Sequence, residues 1–346
     1  MGPHIIGLTF DPNPSANLVG VEREVNMAVR AQARVISDSL LLHLKITFMK
    51  RGVLMIIKTC LLGLGRTGSV VAEQILNSSN FDLVSVVAKP GSPKAGRSLN
   101  EFIPCVQDIV ITDAQDLDKE IDQKFFQVAI DFTSPEATLH NAYVLAKKGI
   151  NMVIGTTGFN NMQLYELKKI VETFKVGLVY APNISVGINL LLSVVKTMAR
   201  LIPHYDVEIT ESYHRNKKDT PSGAALRIAS ELSIIKGAAK NQKVAVRGRI
   251  SRNGPKTKET GEIAIHSIRA GGTIGVHKVL FAGEADEIEI THRSYSQVVF
   301  AEGALKAAAF ISNLKGFFHM EDVLLFERMD RDMRVAANRL YLNFNS

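Results

Sequence analysis

The sequence predicts an α/β fold: a parallel sheet wound with helices, followed by a second sheet of mixed direction. Three observations carry this. Short apolar runs alternate with helical patterns from Ile56 to Tyr180, as in a right-handed parallel sheet. A glycine-rich turn, Gly63-Leu-Gly-Arg-Thr-Gly68, joins the first run directly to the first helical segment. Beyond Asp219, further apolar runs follow one another through connections too short for crossover helices, so they must pair largely antiparallel or mixed.

The 346 residues leave room for two domains and a large core. With 46% hydrophobic and 22% charged residues the chain belongs to the globular class. Its formal charge of +7 permits nucleic-acid binding, but tryptophan is absent and the basic residues are scattered, so no stacking-plus-basic surface is expected. A phosphorylated cofactor or a dicarboxylate accounts for the cations equally well. Cys60 and Cys105 stand far apart, without metal-ligand spacing; no metal site is expected, and a reducing, cytoplasmic setting is. No apolar run approaches bilayer length, since Leu40 to Phe48 is interrupted by His43 and Lys45, so no membrane partner is expected.

Residues 1–54 carry no readable function, although a helix fits Val19 to Leu44. Met49 and Met55 stand just before the first clear strand, as they would in a reading frame begun upstream of the true start. Ile56 to Leu62 reads as a buried strand and Ser69 to Leu76 as a helix, with Arg66 and Thr67 inside the turn between them. This is G-x-G-x-x-G in the strand-to-helix setting of a Rossmann-type dinucleotide site. Gly63 makes the turn, Gly65 admits a pyrophosphate, and Gly68 lets helix and strand approach.

Phe81 to Ala88 is the second strand, and at its end an acidic residue would bind a ribose 2′-hydroxyl. Lys89 stands there instead, with Lys94 and Arg97 nearby, which favours NADPH and leaves NADH as the alternative. The other reading, a lysine solvating a loop, stays open. Strands follow at Phe126 to Thr133, Asn151 to Ile154 and Gly177 to Tyr180, with helices at Glu136 to Lys148, Gln163 to Phe174 and Val186 to Ile202. Gly155, Thr156 and Thr157 fall where a strand end would meet the nicotinamide half of a cofactor, and Ala181 to Ser185 is a turn.

Glu208 to Ala225 concentrates the chemistry. Glu208 to Thr210 ends a strand, and Tyr213 to Asp219 is a polar loop. Thr220 caps a helix with Pro221 at its first position. The N–H groups of Ser222, Gly223 and Ala224 then face outward as an anion site, beside His214, Arg215, Lys217 and Lys218. A solvated basic loop before an ordinary helix is the competing reading. Strands are expected at Lys243 to Ile250, Glu262 to Ile268, Val276 to Ala282 and Glu287 to Ser294. A helix at Phe300 to Leu314, the apolar segment Phe317 to Phe326 and a charged, helical tail complete the chain.

One family carries a matching series in the same order. Its pieces are Asp131-Phe-Thr-Ser-Pro135, Val153-Ile-Gly-Thr-Thr-Gly-Phe159, Ala181-Pro-Asn-Ile-Ser-Val-Gly187, Glu208-x-x-Glu211 and Lys217-x-Asp-x-Pro-Ser-Gly223. Arg269-Ala-Gly271, Ile290-Thr-His292 and Phe317-x-x-Met-x-Asp-Val-Leu324 follow. Across Met55 to Leu324 the chain resembles the 4-hydroxy-tetrahydrodipicolinate reductases (dihydrodipicolinate reductases) of lysine/diaminopimelate biosynthesis. The resemblance implies a Rossmann-type dinucleotide-binding domain at 55–183 and 298–324. It places an inserted α+β substrate domain, built on a mixed sheet, at 184–297, with 1–54 and 325–346 outside both. It also implies a homotetramer formed through the substrate-domain sheets, and NAD(P)H giving hydride to C4 of a cyclic dicarboxylate after loss of water.

Carried over by motif, Lys217 is the catalytic lysine, and His214, Ser222, Gly223 and Ala224 bind a substrate carboxylate. Gly63, Gly65, Arg66, Thr67, Gly68, Lys89, Gly155, Thr156 and Thr157, with Ala181, Pro182, Asn183 and Ile184, border the cofactor. The chain departs from the family in four places. Tyr213 replaces the first of two histidines, the proton donor; Ala224 replaces a threonine; the glycine loop is one residue shorter; and Gln297 stands where arginine is frequent. Tyr213 can act as an acid if Lys217 and His214 lower its pKa from about 10. A packing substitution or a loop anchor are the other readings. Two further functions compete: an amino- or imino-acid dehydrogenase with altered substrate, and an inactive NADPH-binding protein, against which the retained Lys217 speaks.

Overall fold

The computed structural model describes residues 56–236 and 263–325. The expectations for residues 1–55, for a strand at 243–250 and for the tail from 326 lie outside the described residues. Strand β1 (Ile57–Leu62) leads into helix α1 (Arg66–Leu76), followed by β2 (Phe81–Ala88). Next come β3 (Ile111–Asp113), α2 (Leu117–Gln123), β4 (Val128–Asp131), α3 (Pro135–Lys147) and β5 (Asn151–Ile154). Helix α4 (Asn161–Phe174) and β6 (Gly177–Tyr180) close this run. β3 and α2 were not expected: an edge strand of three residues and a single helical turn pair are too short to leave a periodic signal.

The chain crosses to α5 (Val186–Leu201), β7 (Asp206–Tyr213) and α6 (Gly223–Ile235), then β8 (Ala264–Arg269), β9 (Gly275–Ala282) and β10 (Glu287–Ser294). It returns through α7 (Val298–Ile311) to β11 (Gly316–His319). The first sheet has the order β11-β6-β5-β4-β1-β2-β3 and is parallel throughout. Both faces are buried, so its strands read as continuous apolar runs. Leu61 joins a layer with α1 and α7, through Val71, Ile75, Ala304 and Ala308. Its neighbours Cys60 and Leu62 point the other way, into a layer with Leu145, Leu167 and Ile170 of α3 and α4.

The second sheet has the order β10-β9-β7-β8; β7 and β8 are parallel, and β9 is antiparallel to both its neighbours. Its inner face packs Val207, Ile209, Val279 and Phe281 against Leu192, Val195, Ile228 and Leu232 of α5 and α6. Along β7 this face changes character. After Val207 and Ile209, alternation brings Glu211 and Tyr213 to the same side. Register sets Ser267, Glu211, His277 and His292 in one transverse row of four strands, with Arg269 beside Tyr213 in the next. The apolar core therefore gives way to a polar row at one end of the sheet.

Two local expectations need correction. β7 runs on to Tyr213, so Tyr213 ends a strand instead of opening a loop; its pairing with Arg269 of β8 extends the ladder. The helix begins at Gly223, and its N-cap is Ser222, not Thr220: the Ser222 hydroxyl accepts the Ala225 N–H at 3.2 Å, leaving Pro221 before the helix.

Candidate active site

The C-terminal ends of the parallel strands hold the glycine loop. Gly63 adopts φ +95°, and a Cβ there would lie 2.6 Å from the Phe132 carbonyl oxygen. A Cβ on Gly68 would lie 1.9 Å from the Gly63 carbonyl oxygen, so α1 can approach β1 only through a glycine. Gly65, the N-cap of α1, faces open space, makes no side-chain cap bond and has no acidic residue in the following turn. Arg66, exposed, and Thr67 form that first turn. The free N–H groups and the positive end of the helix dipole suit a phosphate.

Beside the loop lies a cavity of about 810 Å³, bordered by Gly63, Gly65, Lys89, Lys94, Thr133 and Ser134 among others. Lys89 is exposed, whereas Lys94 donates to the Leu64 carbonyl at 2.8 Å. Arg97 does not join them: its guanidinium pairs with Glu101 and lies 4.7 Å from the Phe102 ring centre. A phosphate-bearing dinucleotide fits this donor set and shape.

Gly155 to Thr157 and Ala181 to Ile184 stand at the ends of β5 and β6, outside the cavity lining. Thr156 is buried and bonds to Asp131, which also accepts from the Thr133 N–H and hydroxyl, Thr138 and Asn141. Its side chain thus holds the β4 turn. Gly155 lies against the Phe132 ring, where a Cβ would approach to 2.2 Å. Thr157 is exposed, Ala181 and Ile184 are core residues, Pro182 is half-buried, and the Asn183 side chain accepts the Ser185 N–H at 3.1 Å.

The second group of residues surrounds the start of α6. Glu211 is fully buried and accepts from the Ser222 N–H at 3.1 Å, the Ser267 hydroxyl at 2.8 Å and Arg269 Nη2 at 2.7 Å. Burial pushes its pKa up, but the bonds from Ser222, Arg269 and Ser267 outweigh that and hold it below the usual carboxylate range. Arg269 also donates to the Asp219 carbonyl at 2.7 Å, fixing the loop before the helix. The Ser222 N–H is therefore engaged by Glu211 and its hydroxyl caps the helix, which corrects its expected place among the outward donors. Gly223, exposed and with no atom within 4 Å of an added Cβ, and Ala224 supply the remaining N–H groups.

Lys217 Nζ is 2.7 Å from Asp219 and 4.6 Å from the centre of the Tyr213 ring. His214 is half-buried, and its carbonyl accepts the Lys217 N–H at 3.1 Å. The Tyr213 hydroxyl lies 3.2 Å from Nε2 of His277, which is also 3.4 Å from the Ser222 hydroxyl. Nearby cations were expected to lower the Tyr213 pKa; burial instead pushes it up to about 12. His277 is 2% exposed, and burial depresses it to about 4, so it is neutral at pH 7.

Glu211, Arg269 and His277 were not singled out from sequence as site residues. Glu211 carried a readable signal: it shares the strand parity of Val207 and Ile209, and a carboxylate on an apolar face must find partners. His277 pairs across strands from Glu211, sixty-six residues away by numbering, and register of that kind is invisible before the fold is known.

Models of the dihydrodipicolinate reductase N-terminus and C-terminus match residues 57–184 and 187–324 respectively. The 4-hydroxy-tetrahydrodipicolinate reductase of Methanocaldococcus jannaschii is 37% identical over 263 residues, which cover 75% of this chain and 94% of the relative. That of Methylococcus capsulatus is 38% identical over 276 residues, covering 78% and 98%. Among solved structures, dipicolinate-bound dihydrodipicolinate reductase from Paenisporosarcina sp. TG-14 matches with a TM-score of 0.63 and 25% identity, over 77% of this chain and 98% of its own.

Proposed function

The chain belongs to the dihydrodipicolinate reductase family, and from that premise we propose how its residues carry the reaction. It is an oxidoreductase that reduces 4-hydroxy-tetrahydrodipicolinate to tetrahydrodipicolinate in lysine/diaminopimelate biosynthesis, with a pyridine nucleotide as cofactor. The observation that carries the reading is the coexistence of a glycine-loop cavity with a lysine-bearing turn at a helix start.

The glycine loop and the first turn of α1 hold the nucleotide phosphates, with Arg66 and Thr67 in that turn. Gly155, Thr157 and the backbone from Ala181 to Ile184 border the nicotinamide half. When bound, the reduced nicotinamide supplies a hydride to C4, from which the hydroxyl has left as water. Gly223 and Ala224 N–H groups and His214 bind a substrate carboxylate, while Lys217 neutralises charge on the dicarboxylate and delivers the proton to the neighbouring carbon. Lys89 and Lys94 at the cavity favour NADPH over NADH.

Residues 55–183 with 298–324 serve as the dinucleotide domain, and 184–297 as the substrate and oligomerisation domain of a cytoplasmic homotetramer. The decisive assay supplies substrate in situ from the preceding synthase and follows nicotinamide oxidation. Turnover is expected, with kcat/KM lowered at least ~10²-fold in Lys217→Met. Tight NADPH binding without turnover would make the chain an inactive binder. Preference for a monocarboxylate amino or keto acid would mark a dehydrogenase of altered substrate.

A further inference from the structure

Tyr213 stands at the family's proton-donor position, yet its surroundings fit another task. The hydroxyl is turned to a buried partner: His277 Nε2 is 3.2 Å away, and that imidazole is 2% exposed. The ring, by contrast, faces cations. Lys217 Nζ lies 4.6 Å and Arg269 Cζ 5.3 Å from its centre, both within the range at which a positive charge is drawn to an aromatic quadrupole.

The fold also leaves space for the ring. Gly275, the first residue of β9, would bring a Cβ within 3.1 Å of Tyr213 Cε1. Lys217, on a long and rotamer-rich side chain, pairs with Asp219, whose side chain is 56% exposed. An ion pair to a carboxylate that exposed fixes an ammonium loosely. An aromatic face beside it narrows the positions it can occupy.

We propose that Tyr213 is a positioning residue: its ring seats the Lys217 ammonium, and its hydroxyl, bonded to His277, holds the ring in place. The proton transferred to substrate then does not come from the phenol. Burial, which makes the phenol a weaker acid, agrees with this division of labour. The inference rests on the reading of Lys217 as the residue that acts on substrate.

The experiment compares side chains at position 213 under the coupled assay, with thermal unfolding and nucleotide affinity measured on each protein to show that the fold is kept. Tyr213→Phe keeps the ring and loses the tie to His277; kcat/KM is expected to fall no more than about threefold. Tyr213→Leu removes the ring and is expected to cost about five- to thirtyfold. Mono-, di- and trifluorophenylalanine introduced at 213 keep the shape while draining the ring of electron density, and kcat/KM should fall stepwise with each fluorine.

A loss of about 10²-fold or more in Tyr213→Phe would restore the phenol as proton donor and overturn the proposal. Equal activity across the fluorinated series, with Tyr213→Leu impaired, would reduce the ring to packing and overturn it equally. Full activity in Lys217→Met would remove the premise; the proposal would then fall together with the role given to Lys217, and that outcome is read from Lys217→Met alone.

Discussion

Replacing Lys89 by glutamate is expected to shift the choice of nucleotide toward NADH by on the order of ten- to a hundredfold in kcat/KM. Lys89 borders the cavity at the end of β2, where an acidic residue would repel a 2′-phosphate and grip a hydroxyl. Steady-state kinetics with both nucleotides check this, and equal KM values in the parent enzyme would make Lys89 a bystander. Position 89 was legible because the strand-to-loop junction is local. Arg97, eight residues on, was not: only the fold shows it drawn to Glu101 and Phe102. Tyr213 shows the same limit. Its environment comes from β9 and β8, and no pattern within Glu208 to Ala225 announces His277.

At the scale of elements, the junction of β1 and α1 tolerates little change. A methyl group on Gly68 would meet the Gly63 carbonyl oxygen, a backbone atom that cannot rotate away. Gly68→Ala is therefore expected to destabilise by ~2 kcal/mol or more, as overpacking commonly does, and to weaken nucleotide binding because the loop moves with it. Denaturant unfolding together with nucleotide titration tests both effects; a stable variant that binds normally would show that α1 shifts freely. Most strands and helices were legible because each is a local apolar pattern. Their ends were not. β7 continues to Tyr213 because β8 pairs with it, and α6 starts late because Ser222 is held by Glu211. Both causes lie outside the segment they shape.

For the molecule as a whole, the polar row of the second sheet makes stability depend on pH. His277 is neutral in the fold down to about 4, against 6.5 for an ordinary histidine. Between these values the unfolded chain binds a proton that the folded one refuses, so stability is full above 6.5 and falls as pH drops toward 4. The shift corresponds to about 3 kcal/mol. Glu211, held below its ordinary 4.5, adds a further loss as pH falls below that value. In His277→Asn the stability deficit relative to the parent should shrink across the same window, as read from urea unfolding between pH 7 and 4. A constant deficit would mean that His277 does not titrate there.

Assembly offers a second measurement at this scale. The outward parity of the second sheet carries Ile268, 47% exposed, beside Ser212 of β7. Sedimentation is expected to report four chains, and Ile268→Lys to shift the population toward smaller species. A monomeric parent enzyme would overturn the proposed homotetramer.

The order of synthesis gives the return of the chain to its first sheet a further meaning. β11 pairs in parallel with β6, and Asn151 donates to the Ile311 carbonyl at 2.7 Å while accepting the Gly177 N–H at 2.7 Å. α7 supplies Ala301, Ala304 and Ala308 to one whole layer of that sheet. During translation these partners emerge after every described strand of the second sheet. Until then the β6 edge is unpaired and the layer that α7 covers lies open, both of which invite wrong contacts. Domains usually fold one after another from the N-terminus as the ribosome releases them. Here the first sheet must wait for the second, and the nascent chain stays exposed to chaperones and proteases until α7 and β11 are out.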